Sequence, residues 1–348
     1  MVRKLDIVSL SSGILGEPFV KFEVDIGLTR LHEFGLETRF LAHTMSGLNF
    51  IKDNPQMRAV DLLNAFSDDS DMILCAIGGD DTFRLLPYLF ENDELKNALS
   101  PKIFLGFSDS TMNHLMLHKL GLPSFYGQAF LPDVCELEPD MLPYSKRFFT
   151  ELITTGRISE IRPSPVWYKE RTEYSEAAVG SCRQKTDDTG FKLLQGKSSF
   201  SGPILGGCID TIYDIFDNTR YSDSVEICSR YDIFPSLDDW AGKILLLETS
   251  QEQVTPEKYG KMLRALKHTG IFGVINGILI GKPMDMVYAE EYHETLVRIV
   301  NRPDLPILCN INVGHATPRC IIPFGVPATV DEDQQVISFH YEDIAQRI

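Results

Sequence analysis

The sequence predicts an α/β protein of two domains built on parallel sheets. Three observations carry that expectation. Short, nearly continuous apolar runs recur at residues 72–77 (MILCAI), 102–107 (KIFLGF) and 243–247 (KILLL), and strands buried on both faces read this way. Segments with helical spacing of apolar positions follow such runs, in strand–helix order. The length, 348 residues, corresponds to roughly two domains and suffices for a core that needs no staples.

Taken in order, residues 5–10 make a first short strand, and residues 19–34 a helix ending at Gly35. Residues 37–42 fit a second strand, and residues 58–66 (RAVDLLNAF) an amphipathic helix. The run 72–77 stops at Gly78-Gly79, and residues 82–90 read as helix. The strand 102–107 leads into a helix over about residues 111–120. In such folds the loops at the carboxyl ends of strands build the site, which points to residues 78–82 and 108–111. Residues 139–196 are polar, with little periodicity and several Pro and Gly, and predict a connector or surface excursion. They hold Trp167, one of two tryptophans, either a stacking platform for a ligand ring or an anchor for the loop. The α/β pattern then resumes. After the strand 243–247, Thr255-Pro256-Glu257 supplies an N-cap, a first-turn proline and a first-turn acid for a helix running to about His268. A strand at 277–281, a helix at 288–300 and a strand at 306–310 lead to Gly314-His315.

Charge narrows the function. Against 33 Lys and Arg stand 49 Asp and Glu, a formal net charge of −16. So negative a surface repels phosphate backbones and predicts no nucleic-acid partner, while leaving room for a local cationic pocket. The N-terminal apolar run is too short for a secretory leader, and no apolar stretch nears twenty residues, so no membrane span is expected. Cysteines at 75, 135, 182, 208, 228, 309 and 320 are odd in number and lack metal-ligand spacing, which predicts free thiols in a reducing cytosol and no metal site.

Three segments carry chemistry. In GFSDST (residues 106–111) a serine sits at a sharp strand-to-helix junction, the shape of a nucleophile elbow, though Ser110 replaces the second Gly of GxSxG. Alternatively Ser108 or Asp109 only caps the helix. In Gly78-Gly79-Asp80-Asp81 a glycine pair after a buried strand presents bare amides that suit a phosphate or an oxyanion. This GGDD is similar to the GGDG phosphate loops of NAD kinases and phosphofructokinases, with Asp81 in place of their Gly, and a nucleotide kinase is one alternative. Third, Glu248 ends a buried strand, and His315 follows a strand and a glycine. Among eight histidines, 114, 118, 268 and 293 fall in predicted helices, 32 and 43 lie far upstream, and 340 lies near the end. Together Ser108, Glu248 and His315 make a hydrolytic unit, with the site between two domains. Cys208, in a turn after Gly206-Gly207, is a rival nucleophile with no base placed near it by chain order.

Five ordered segments resemble the LD-carboxypeptidase family of serine peptidases, including its microcin C immunity branch. They are RAVDLLNAF with MILCAIGGDDTFRLL, GFSDST, SGPILGGCID, KILLLETSQE and NVGHATPRCIIPFG. The resemblance implies a flavodoxin-like N-terminal domain with a parallel sheet, a C-terminal α/β domain, and an active site between them. The expected division is residues 1–140 with the nucleophile, 141–196 as connector and specificity loop, and 197–348 with the acid and base. It further implies Ser108 as nucleophile, Glu248 as acid, His315 as base, and the amides of Gly79 and Asp109 as oxyanion hole. No metal or organic cofactor is implied, and a cytoplasmic homodimer is. One branch trims the terminal D-amino acid from murein tetrapeptides; the other cleaves the amide joining a peptidyl or aminoacyl group to a nucleotide. GGDD, the long middle insertion and Trp167 resemble the second branch, whereas Arg84 matches an arginine of the first. Asp80, Arg84 and Trp167 are the substrate-binding residues this suggests.

Overall fold

The structure, a computed structural model, describes residues 1–343, so the last five residues of the expected 197–348 stretch lie outside it. Strands β1 (Lys4–Val8), β2 (Glu37–Phe40), β3 (Met72–Cys75), β4 (Ile103–Gly106) and β5 (Ser124–Tyr126) are all parallel. Helices Lys21–Glu33, Pro55–Ser67 and Thr111–Lys119 lie between them in the chain. Because β3 and the central residues of β4 are buried on both faces, these strands read as continuous apolar runs. The strand order β2-β1-β3-β4-β5 is the flavodoxin-like doubly wound order, whose switch point falls between β1 and β3. The expected helix at 82–90 begins as a tight 3₁₀ turn, Thr82–Leu85, and becomes α-helical only at Leu86–Phe90, where Pro87 sits in the first turn and its missing N–H does no harm.

The middle of the chain holds more regular structure than its polar, weakly periodic sequence suggests. Residues 139–196 contain the helix Pro143–Thr155 and four strands, β6 (Glu160–Ile161), β7 (Val166–Tyr168), β8 (Lys185–Asp187) and β9 (Lys192–Gln195). The helix buries Phe148, Phe149, Leu152 and Ile153, a helical spacing carried by few positions among polar ones. β6 and β9 are too short to show a pattern, yet they form the two edges of the second sheet.

That sheet is built by β10 (Ser199–Cys208), β11 (Ile244–Glu248), β12 (Gly277–Gly281) and β13 (Ile307–Ile311), which run parallel. After β13 comes β14 (Ile322–Phe324), which leaves this sheet and pairs antiparallel with β5 of the first, Ile322 opposite Tyr126. β15 (Pro327–Asp331) and β16 (Val336–Phe339) return, completing the order β6-β16-β15-β10-β11-β12-β13-β9. The β14 crossing joins the two sheets beside the carboxyl ends of β4 and β5. Among the described residues no helix is long and apolar enough to cross a membrane.

Candidate active site

Ser108 leaves β4 with φ +62°, in the left-handed region that costs an L-residue roughly 1–2 kcal/mol. Asp109 and Ser110 then turn at once into the helix Thr111–Lys119. The strained corner lifts the Ser108 hydroxyl out of the sheet, as a nucleophile elbow does. Gly78 lies against it: a Cβ there would sit 2.8 Å from Ser108 Oγ, so only glycine leaves the hydroxyl room.

Glu248 ends β11 and is 1% exposed. His315 follows β13 through Gly314, whose φ is +84° and where a Cβ would meet Glu248 Oε2 at 2.3 Å. His315 Nε2 is 3.0 Å from Ser108 Oγ, and its Nδ1 is 2.8 Å from Glu248 Oε2. Nδ1 faces a carboxylate that only accepts, so the proton belongs there and Nε2 is left to accept from the serine hydroxyl. The His315 backbone N–H donates to the same Glu248 oxygen at 3.2 Å. The other, Oε1, accepts from the Tyr126 hydroxyl at 2.6 Å, and that hydroxyl accepts from the Ser108 N–H at 3.1 Å. Burial, then the Glu248 charge, raises the Tyr126 phenol well above its ordinary range, so it stays a donor. No motif marks Tyr126; its only sequence signal is its place at the end of a short strand beside the elbow.

The loop after β3 is tied to the same corner. The Asp109 carboxylate accepts from Ser11 Oγ at 2.7 Å and from the Thr82 N–H and hydroxyl at 2.9 and 2.6 Å. Burial pushes this carboxyl up, and the Thr82 and Ser11 donors pull it back. Asp81 turns inward to the fully buried Arg58, with Nη2 to Oδ2 at 3.2 Å. Its charge is therefore neutralised inside the protein and does not face a ligand. Asp81 thus serves packing at this corner. Among the described residues the amides of Gly79 and Asp109 donate to no protein acceptor, which leaves both available beside Ser108.

A cleft of about 540 Å³ opens over Ser108 and His315, lined also by Gly79, Glu170, Arg171 and Tyr174. It continues into a cavity of about 300 Å³ that shares Tyr174, Arg171 and Arg319 and adds Phe19 and Arg183. The three expected substrate-binding residues line neither space. Trp167 is half-buried in the β7–β8 ribbon, opposite Thr186. Arg84 is drawn off by Asp223, at 2.7 and 3.2 Å, and lies over the rings of Phe83 and Tyr221. Asp80 accepts from the Tyr221 hydroxyl at 2.8 Å and faces a neighbouring cavity. The polar middle segment does give the cleft an aromatic, Tyr174, seven positions from Trp167, which joins Phe107 of the elbow in the lining. Cys208 differs from expectation as well. Donor atoms of Cys208, Glu248 and His315 all lie within 4.8 Å of one another, a set a soft metal could use. However, burial raises the Cys208 thiol well above its ordinary range, and Glu248 and His315 are engaged with each other, so Cys208 is a neutral neighbour.

Comparison with known proteins gives a consistent picture. Family models described as the LD-carboxypeptidase N-terminal domain and the LD-carboxypeptidase C-terminal domain match residues 5–127 and 201–330. A crystal structure of an MccF-like protein from Streptococcus pneumoniae in complex with AMP is 62% identical, with TM-score 0.97 over 98% of this chain and 100% of that one. A putative carboxypeptidase of Treponema pallidum is 28% identical over 84% of this chain and 79% of its own. The microcin C7 self-immunity protein MccF of Escherichia coli is 24% identical over 78% of this chain and 74% of its own.

Proposed function

Because the chain belongs to the LD-carboxypeptidase family of serine peptidases, we propose that it hydrolyses the amide joining an aminoacyl or peptidyl group to a nucleotide. The observation that carries the reading is the unbroken relay from Ser108 Oγ through His315 to Glu248, with steps of 3.0 and 2.8 Å. Ser108 attacks the acyl carbon and His315 Nε2 takes its proton. Glu248 holds the imidazole and stabilises its charge. The amides of Gly79 and Asp109 receive the oxyanion, where a preorganised donor is worth about 3–4 kcal/mol in the transition state. His315 then protonates the departing nitrogen, and water, activated by the same imidazole, releases the acyl group. The Streptococcus pneumoniae relative, bound to AMP, supports a nucleotide on the leaving side. So do the aromatic Tyr174 and the arginines lining the long cleft.

The test is a parallel assay of an aminoacyl-sulfamoyl adenosine and a murein tetrapeptide. Cleavage of the first, abolished in Ser108→Ala, is expected. Cleavage of the tetrapeptide alone would move the chain to cell-wall recycling, and cleavage of neither would overturn the reading.

A further inference from the structure

The cavity of about 300 Å³ that extends the Ser108 cleft is lined by one charged side chain without a partner. Its other charged groups are spoken for. Glu136 takes Arg171 and Arg183, each at 2.8 Å; Glu170 takes Arg183 at 2.9 Å; and Arg319 is held by Asp133 at 3.0 Å. Glu23 stands apart: among the described residues its carboxylate accepts no hydrogen bond and makes no ion pair, although it is only 7% exposed. Neither of its oxygens is among the unpaired polar atoms sealed from solvent, so the small remaining exposure includes the carboxylate and opens on the cavity that Glu23 lines. Glu23 belongs to the first turn of the helix Lys21–Glu33, where a carboxylate ordinarily faces water. Here burial, then the Glu136 charge, pushes its carboxyl up to about 7, as expected where no cation offsets it. Nothing in the catalytic relay touches it. The rest of the cavity suits a flat ring. Ile14, Val20, Leu131 and Pro132 give it apolar walls, and the rings of Phe19 and Tyr174, 60% and 49% exposed, stand at its opening.

We infer that this cavity seats the nucleobase and that Glu23 reads it, accepting a hydrogen bond from an amino group on the edge of the base, as adenine carries. The inference rests on the nucleotide-amide reading above and adds the choice of base to it. An ionised carboxylate only accepts, so the base must supply the donor. A purine without the amino group leaves the Glu23 oxygens unpaired, and a keto edge sets one acceptor against another. Glu23 touches the base and not the reacting atoms, so its role is specificity.

The experiment measures calorimetric binding of AMP and of purine riboside monophosphate, which lacks only the amino group, at about pH 8, where the Glu23 carboxyl is mostly ionised. The wild type should bind AMP at least about tenfold tighter than the analogue. Glu23→Met, which puts an apolar group of similar length in place of the carboxyl, should bring the ratio to about one. Glu23→Gln, which keeps a carbonyl acceptor, should retain most of it. Equal affinities in the wild type, no binding of AMP, or an AMP preference that survives in Glu23→Met overturns the assignment. The wild-type ratio stands by itself should either variant fold poorly. Turnover of an aminoacyl-sulfamoyl adenosine and its purine riboside counterpart separates the two claims. Hydrolysis of both with equal kcat/KM sinks the role of Glu23 and keeps the hydrolase; AMP-selective binding without hydrolysis does the reverse; failure of both sinks both.

Discussion

Replacing Tyr126 with phenylalanine removes one oxygen and two hydrogen bonds while keeping the shape of the site. The ring stacks on Phe324 at 5.3 Å and packs against His114, contacts that phenylalanine reproduces. What goes is the 2.6 Å bond donated to Glu248 Oε1 and the 3.1 Å bond accepted from the Ser108 N–H. A hydrogen bond to a charged group contributes about 1.5–3 kcal/mol, and a buried amide left without an acceptor costs about 1–3 kcal/mol. Stability should therefore fall by about 3 kcal/mol, read as a lower urea midpoint. In catalysis the missing bond frees one side of the carboxylate that orients His315, and frees the amide that fixes the strained Ser108 corner. A loss of about 1.4–2.8 kcal/mol in the transition state corresponds to roughly 10–100-fold in kcat. KM should stay near its wild-type value, because the hydroxyl touches no substrate in this account. The assay is steady-state hydrolysis of the cognate amide by folded protein. A kcat within twofold of wild type, or a change confined to KM, would refute Tyr126 as a positioning residue.

Three further outcomes follow from the same geometry. Gly314→Ala places a methyl 2.3 Å from Glu248 Oε2 at φ +84°, and displacing that carboxylate should lower kcat about 10²-fold in steady-state kinetics; wild-type turnover would contradict the requirement for glycine. Arg58→Met strands the buried Asp81 carboxylate and should cost about 3–5 kcal/mol in urea unfolding, whereas an unchanged midpoint would remove Asp81 from any paired role. Burial lowers the His114 imidazole to about 4, with Nε2 facing the Gly106 carbonyl and Nδ1 facing Ser124 Oγ. The unfolded chain, titrating near about 6.5, takes up this proton first as pH falls. His114 should thus leave stability unaffected above about pH 6.5 and remove about 3 kcal/mol between there and about pH 4. Urea titrations across that window should show a slope shallower by about one proton in His114→Gln, and identical slopes would contradict the burial argument.

The parts of the molecule legible in the sequence are those where chemistry and local pattern coincide. MILCAI and KILLL read as strands because both of their faces are buried, so every residue is apolar. Ser108, Glu248 and His315 stood out because each terminates or follows such a strand, where parallel sheets expose side chains. Pairing between distant segments has no local signal. Residues 322–324 look like any short strand, yet they cross to the first sheet. Glu160–Ile161 and Lys192–Gln195 become sheet edges although nothing in their periodicity says so. The same limit explains the cleft. Arg84, Asp80 and Trp167 follow from the family resemblance, but ion pairs with Asp223 and Arg220 and the pairing of β7 with β8 hold them outside it. Tyr126 and Tyr174 reach the site only through the tertiary fold.

The most direct measurement compares kcat for Ser108→Ala, His315→Ala and the double variant on the amide that the wild type cleaves. If the hydroxyl and imidazole act as one unit, each single change should cost on the order of 10⁶ in kcat, and the double change no more than either. Turnover that survives Ser108→Ala, or losses that multiply in the double variant, would contradict the account.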